Sequence, residues 1–546
     1  MNPKNSKSIT FHEPEKSGCC KLRRLHIILI CVVRPTFTIF SHRESYCKVV
    51  CTMLKMLSRV GFIRTMAVRS QSTASFIANM PPCDFVPEKY TGPSHDTMKQ
   101  LRQNHLSSGQ LTYYKDPISL CQGHMQYLYD LEGNRYLDMF AGIATVIAGH
   151  CHPKIQEATL SQMGKMWHST NIYYHPSIHE YAEKLTSTLP DPLKVCYFVN
   201  SGSEANDLAL LMARLYTGCM DTFVMRGAYH GASPITMGLT SLSTWFFNYP
   251  SASSIHKIRN ADPYKGPYGG KACRDSVVQA DRSCDCQPGQ CMASEQYLEE
   301  VKDALTYCAP KDKIGAFFAE SIQGVNGTMQ FPKGFIKGAV EQVRARGGVA
   351  ILDEVQTGFG RTGEHFWGFQ GHDVIPDMVV MAKGIANGYP MGAVVTTKEI
   401  ASVLSRALHF NTFGGNPVAC TVASSVIDVI KEDKLQENAQ QLGSYFLLEL
   451  AKLRDEFEIV GDVRGKGFMI GVELVADKES KVTLPADQVG AIFEDMKEMR
   501  VLNGKGGVFG NVMRFKPPMC VTKADVDYTV AAFRQALTNH RERQAK

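Results

Sequence analysis

Between residues 195 and 396 short apolar runs alternate with stretches of helical periodicity, and this alternation restricts the fold more than any other feature of the chain. The runs are Val195–Asn200, Phe223–Arg226, Ala316–Glu320, Val349–Glu354, Met378–Met381 and Ala393–Thr396. A short run with little polar alternation suits a strand covered on both faces, and intervening helices return the chain to start the next strand in the same direction. The expected fold class is therefore α/β, with a largely parallel central sheet in a large domain over residues 151–415. After Pro417 the pattern changes to a helix through about Lys431, another near residues 436–456, and a strand-like Met469–Leu474. Residues 416–546 are expected to form a smaller α+β domain, with 81–150 as its N-terminal segment.

The formal charge of +6 belongs to the amino terminus: residues 1–80 hold 13 Lys and Arg against 3 acidic residues, leaving 46 basic against 50 acidic beyond them. A basic groove for nucleic acid would leave a surplus on the body of the protein, so no nucleic-acid partner is expected. Between Glu44 and Asp84 no acidic residue occurs, while Lys48, Lys55, Arg59, Arg64 and Arg69 lie among Leu, Met, Phe and Ser. That is the composition of a mitochondrial presequence. On a helical wheel Leu54, Leu57, Val60, Gly61 and Ile63 oppose Lys55, Arg59 and Arg64, as a basic amphipathic targeting helix requires. Residues 1–80 are thus read as an N-terminal extension and presequence, the presequence-like stretch opening at Met53, and the matrix is the expected location. The apolar run from Leu25 to Phe40 is broken by Arg34 and Pro35 and falls short of the roughly 20 residues of a membrane helix, so no membrane partner is expected. The 17 cysteines are scattered through a chain expected to stay in a reducing compartment, which predicts no disulfide framework. Cys273, Cys284, Cys286 and Cys291 lie in a Gly/Pro/Asp-rich stretch without the paired spacing of a strong zinc signal; free thiols in a loop, and no metal, are expected there.

Two of the expected strands end in ionisable residues: Val349-Ala-Ile-Leu-Asp-Glu-Val closes on Asp353, and Met378-Val-Val-Met-Ala-Lys-Gly closes on Lys383. Ligands of open α/β sheets bind at the carboxyl ends of the strands, so both side chains would reach one crevice. An amine and a carboxylate there are what pyridoxal phosphate needs: the amine joins the cofactor aldehyde as a Schiff base, and the carboxylate keeps the pyridine nitrogen protonated. A third element, Asn200-Ser201-Gly202-Ser203-Glu204-Ala205-Asn206, turns from a strand through Gly into a helix whose first amides would bind a phosphate. Singly, each feature also fits a helix cap, a solvated lysine or a common turn.

Together, Leu352-Asp-Glu-Val-Gln-Thr-Gly-Phe-Gly-Arg-Thr-Gly, Ala382-Lys-Gly and Thr412-Phe-Gly-Gly-Asn-Pro resemble the signature of the class-III aminotransferases, and the resemblance spans roughly residues 100–540. It implies fold type I of the pyridoxal-phosphate enzymes, with active sites shared between two subunits. By the same resemblance Lys383 is the Schiff-base lysine and proton carrier, Asp353 the pyridinium partner, and Gln356 the residue facing the ring hydroxyl. Ser201, Gly202 and Ser203 match the phosphate loop, Tyr229 the aromatic residue stacked on the ring with His230 beside it, and Thr412 a threonine reaching the phosphate from the neighbouring subunit. Arg514 resembles the arginine that takes the substrate carboxylate, and Glu320 would alternately pair with it and release it. Two positions depart from the usual pattern: Ser321 stands where many relatives have Pro, and Asn411 where many have His. The first leaves the backbone path at Glu320 less constrained.

Further segments, among them Gly149-His-Cys-His-Pro, Gln323-Gly-Val-Asn-Gly and His365-Phe-Trp-Gly-Phe-Gln, resemble a mitochondrial branch of that family. This implies ping-pong transfer of an amino group from alanine, β-aminoisobutyrate, β-alanine or methylated arginines to glyoxylate or pyruvate. Amino acids and 2-oxo acids are then the small-molecule partners, and the assembly is a homodimer at least, with a homotetramer left open. The rival readings are an ornithine or omega-amino-acid aminotransferase and a phospho-lyase, which share the cofactor residues.

Overall fold

The apolar runs fold as the strands of one large sheet. The computed structural model describes residues 80–546 except 111, 249–253 and 288, so the expected extension and presequence lie outside the described residues save for Met80. Strands are numbered in chain order. A first sheet joins β1 (Leu120–His124), β2 (Tyr127–Asp130) and β3 (Arg135–Asp138) in antiparallel fashion, with β13 (Val501–Leu502) added in parallel to β3. The large sheet has the order β4 (Val195–Val199), β10 (Gly392–Thr396), β9 (Met378–Met381), β8 (Val349–Asp353), β7 (Ala316–Glu320), β5 (Thr222–Met225) and β6 (Ile255–Ile258). A third sheet has the order β11 (Val460–Lys466), β12 (Met469–Leu474), β15 (Val512–Phe515) and β14 (Gly504–Gly506).

The large sheet differs from the sequence reading in two respects. β10 is antiparallel to both β4 and β9, whereas the pairings among β5, β6, β7, β8 and β9 are parallel. An apolar run encodes burial on two faces and carries no direction, so the reversal could not be read from it. Edge strand β6 was not expected at all; its Ile-His-Lys-Ile sequence is half-buried and polar in the middle, which hides it among loop residues. By contrast β5, β7, β8, β9 and β10 are buried at every position, as their unbroken apolar sequences require.

Helices end where local chemistry stops or starts them. The helix Gly202–Thr217 begins at Ser201, whose hydroxyl accepts the Glu204 N–H, and ends at Gly218 with φ of 70°, the left-handed closure that glycine adopts without penalty. Helix Pro417–Glu432 starts with Asn416 accepting the Ala419 N–H and Pro in the first turn, and buries one long apolar face against the helix Pro153–Met163 and the helix Pro176–Thr186. Among the described residues no helix is long and apolar enough to cross a membrane.

Candidate active site

Because β4, β5, β7, β8 and β9 run in one direction, their carboxyl ends open on one crevice. Ser201, Gly202, Ser203, Tyr229, His230, Glu320, Asp353, Gln356 and Lys383 all line it. Adjacent strands set the spacing of the two central groups: Asp353 lies opposite Val380 in the β8–β9 pairing, and Lys383 follows just past the end of β9. Lys383 takes φ of 50°, a left-handed backbone that costs a non-glycine residue on the order of 1 kcal/mol and recurs where side chains are aimed for function.

Asp353 is held from three sides. Its Oδ2 accepts from His230 Nδ1 at 2.8 Å and from Asn206 Nδ2 at 2.9 Å, while Oδ1 accepts the Val355 N–H at 3.0 Å. The Asn206 amide also donates to the His230 carbonyl at 2.8 Å, locking strand end and helix together. Burial, the largest influence on Lys383, pushes its amine down to about 8, against the opposing pull of Asp353 and Glu320. At the helix amino terminus Ser203 Oγ accepts the Ala232 N–H at 3.2 Å, and Gly231, with φ of 130°, passes so close that an added Cβ would sit 2.4 Å from that hydroxyl. Tyr229 meets the Trp245 ring edge-on at 5.0 Å.

Glu320 and Arg514 are both buried but do not pair with each other. They meet instead through one residue: Glu320 Oε2 accepts the Gly324 N–H at 2.8 Å, and the Arg514 guanidinium donates to the Gly324 carbonyl at 3.1 Å. The expected direct contact is thus replaced by a peptide bridge, with Glu320 Oε1 also accepting the Tyr229 N–H at 3.2 Å. Burial raises the Glu320 carboxyl above its usual range and lowers the Arg514 guanidinium. Arg514 lies over the Phe140 ring at 5.1 Å, outside the crevice lining. Thr412 is exposed and also outside the lining of its own chain.

Both departures from the familiar pattern have partners. The Ser321 hydroxyl donates to buried Glu354, whose carboxylate also accepts from Thr357 Oγ1 and from the Gly368 and Phe369 N–H groups, each at 2.8 Å. Asn411 Oδ1 accepts from Asn200 Nδ2 and from the Gly414 N–H, both at 2.9 Å, so it ties the Thr412 turn to the phosphate-loop strand.

Three residues escaped the sequence reading. Asn206 follows Gly202 by four positions, so helical spacing placed it on the same face and would have flagged it. Lys516, buried and held far below its ordinary range by burial and by Arg514, donates to Gln356 Oε1 at 2.8 Å; period-two alternation from Arg514 pointed to it. Trp245 left no local signal.

The sequence profile described as aminotransferase class-III matches residues 113–537. The mitochondrial alanine–glyoxylate aminotransferase 2 of Homo sapiens is 55% identical over 468 residues, 86% of this chain and 91% of that protein. The Arabidopsis thaliana mitochondrial homolog 2 of that enzyme is 46% identical over 457 residues, 84% of this chain and 90% of its own length. Among solved structures, an Arthrobacter phospholyase in complex with phosphoethanolamine superposes with a TM-score of 0.72 at 30% identity, covering 81% of this chain and 99% of that one. A Bacillus anthracis aminotransferase reaches 0.74 at 27% identity, covering 82% and 100%. A profile spanning most of the described chain, relatives of this identity, and an amine and carboxylate at adjacent strand ends agree in one assignment: the chain belongs to the class-III aminotransferases.

Proposed function

We propose that the crevice holds pyridoxal phosphate and that the enzyme moves an amino group from alanine to glyoxylate, giving pyruvate and glycine, in the mitochondrial matrix. The observation that carries this reading is the Lys383 amine beside the Asp353 carboxylate at neighbouring strand ends. The residues present fit the cofactor. The Lys383 amine, lowered by burial, would attach it covalently, the anchored Asp353 carboxylate would hold its ring nitrogen protonated, and the amino terminus of the helix Gly202–Thr217 would take its phosphate. Two buried polar atoms lining this region, Asn206 Oδ1 and His230 Nε2, have no hydrogen-bond partner among the described residues. When bound, pyridoxal phosphate supplies the carbonyl that takes up an amino group and the ring that stores the electrons freed as the α-proton leaves.

The chain's own residues do the rest. Lys383 Nζ, neutral in a sizeable fraction near pH 8, takes the substrate's α-proton and returns it. Lys516 donates to Gln356 Oε1, so the Gln356 amide N–H would be the group left to hold the cofactor's ring hydroxyl. Arg514 binds the substrate carboxylate, for which its planar fork is suited. Glu320, tied to Arg514 only through Gly324, sets whether that arginine is presented to an α-carboxylate or bypassed by donors with a distal amine such as β-aminoisobutyrate, β-alanine or methylated arginines. Thr412 completes a phosphate site in a partner subunit, which makes the working unit a homodimer. Relatives named as mitochondrial alanine–glyoxylate aminotransferase 2 support the substrate pair and location.

The deciding experiment supplies the purified, cofactor-loaded chain with alanine and glyoxylate and measures glycine and pyruvate in equal amounts. Release of ammonia and phosphate from phosphoethanolamine, with no glycine formed from alanine, would overturn the reading in favour of a lyase.

A further inference from the structure

Between Arg259 and Cys291 the described residues include no helix or strand, a span far longer than most connections in a compact domain. Such a segment needs its own fastening. One fastening is an ion pair: Arg274, wholly buried, meets Asp462 of β11 through two parallel bonds of 2.9 and 2.7 Å. Beside it, Cys273 leads into a second fastening made of thiols. The sulfur atoms of Cys273, Cys286 and Cys291 all lie within 4.8 Å of one another. Cys284 stands outside that trio but hydrogen-bonds the Cys286 side chain, which brings the fourth sulfur to its edge.

We propose that Cys273, Cys284, Cys286 and Cys291 form a structural zinc site that closes this long loop. Four sulfurs at the zinc–thiolate distance of about 2.3 Å from a common centre stand about 3.8 Å apart, so a small contraction of the Cys273, Cys286 and Cys291 sulfurs, with Cys284 drawn in beside Cys286, completes a tetrahedron. The backbone is already arranged for thiolates. Cys284 accepts N–H groups from Cys286, Lys271 and Ala272, Cys286 accepts one from Met292, and Cys291 accepts those of Ser294 and Ala293. Cys291 is also the cap of the helix Met292–Cys308, where the helix dipole favours a negative sulfur, and Lys333 adds a nearby positive charge. Gly270 leaves room for the cluster: an added Cβ would fall 2.6 Å from the Cys284 sulfur. Cys273 is buried while Cys284, Cys286 and Cys291 are half-buried, so the cluster is anchored in the protein on the Cys273 side and open to an entering ion on the other. Binding Zn²⁺ replaces four S–H protons by four S–Zn bonds and releases the protons to solvent, with no change of oxidation state.

The test uses the full chain, reduced and freed of metal, then titrated with Zn²⁺ or Co²⁺. About one zinc per chain should resist dialysis. Cobalt should give the red absorption bands of a tetrahedral thiolate site, which lie clear of cofactor absorbance and vanish on zinc addition. Cys286→Ser and Cys284→Ser should lose the cobalt bands and the zinc, while Cys308→Ser, farther along the same helix, should keep both. Chelation should lower the thermal midpoint of the wild-type protein and leave that of Cys286→Ser unchanged. Amino transfer by wild-type protein at low temperature should persist after chelation, since the cluster lies apart from the crevice. Failure of wild-type protein to retain zinc, or a mass loss on non-reducing analysis that assigns these cysteines to disulfides, overturns the proposal without touching the aminotransferase reading.

Discussion

At the scale of single residues the proposed chemistry turns on Lys383, whose environment has a measurable signature. Lys383→Ala should fold, fail to retain cofactor through borohydride reduction as judged by mass spectrometry, and make no glycine. Burial holds the amine near about 8 rather than the ordinary 10.5, so between these values the unfolded chain carries a proton that the folded chain lacks. Stability of the cofactor-free protein from this group therefore rises with pH across that window, by up to roughly 3 kcal/mol, and Lys383→Met should flatten the rise in urea midpoint. Arg514→Ala should raise the Michaelis constant for glyoxylate by about ten- to a hundredfold, the loss of a charge-assisted pair worth roughly 1.5–3 kcal/mol. Glu320→Ala should shift the ratio of turnover with alanine to that with β-aminoisobutyrate in favour of alanine; equal losses would reduce Glu320 to a support for the Tyr229 and Gly324 amides. Asp353 and Lys383 were legible because each closes an apolar run. The Gly324 bridge was not, because it joins the end of β7 to β15 through a backbone that no sequence pattern places.

At the scale of elements, one dipeptide serves both sides of a strand end. Asp353 faces the crevice, whereas Glu354 turns away to gather Ser321, Thr357 and the amides of Gly368 and Phe369. Ser321→Ala strips one donor from a fully buried carboxylate whose neutral form burial already favours, and should cost about 1–3 kcal/mol. A lower urea midpoint with unchanged slope and intact cofactor binding would match that role. The strands themselves were largely readable: β7 and β9 span the expected residues, and β8 stops one residue short. What escaped was the direction of β10 and the existence of β6, since direction is fixed by connections and an edge strand with one wet side need not be apolar.

At the scale of the whole molecule the exposed surface bears on assembly. Phe413, next to Thr412, is 61% exposed, and Tyr174 is 94% exposed. In the proposed dimer, where Thr412 reaches the neighbouring subunit, Phe413 would be covered by that subunit. Phe413→Asp should weaken the dimer in sedimentation and release cofactor with it; a fully active monomer would contradict the shared site. Fusion of residues 53–80 to a reporter should direct it into mitochondria, and cytosolic retention would remove the presequence. That Thr412 stands outside its own crevice has a consequence in genetics. If a subunit lends its threonine and keeps its lysine, a Lys383→Ala chain mixed with a Thr412→Ala chain gathers both defects at one site of the hybrid and leaves the other intact. Two alleles, each defective in its own homodimer, would then complement one another, and the pair of chains, not the chain, would be the unit on which a mutation is recessive or dominant.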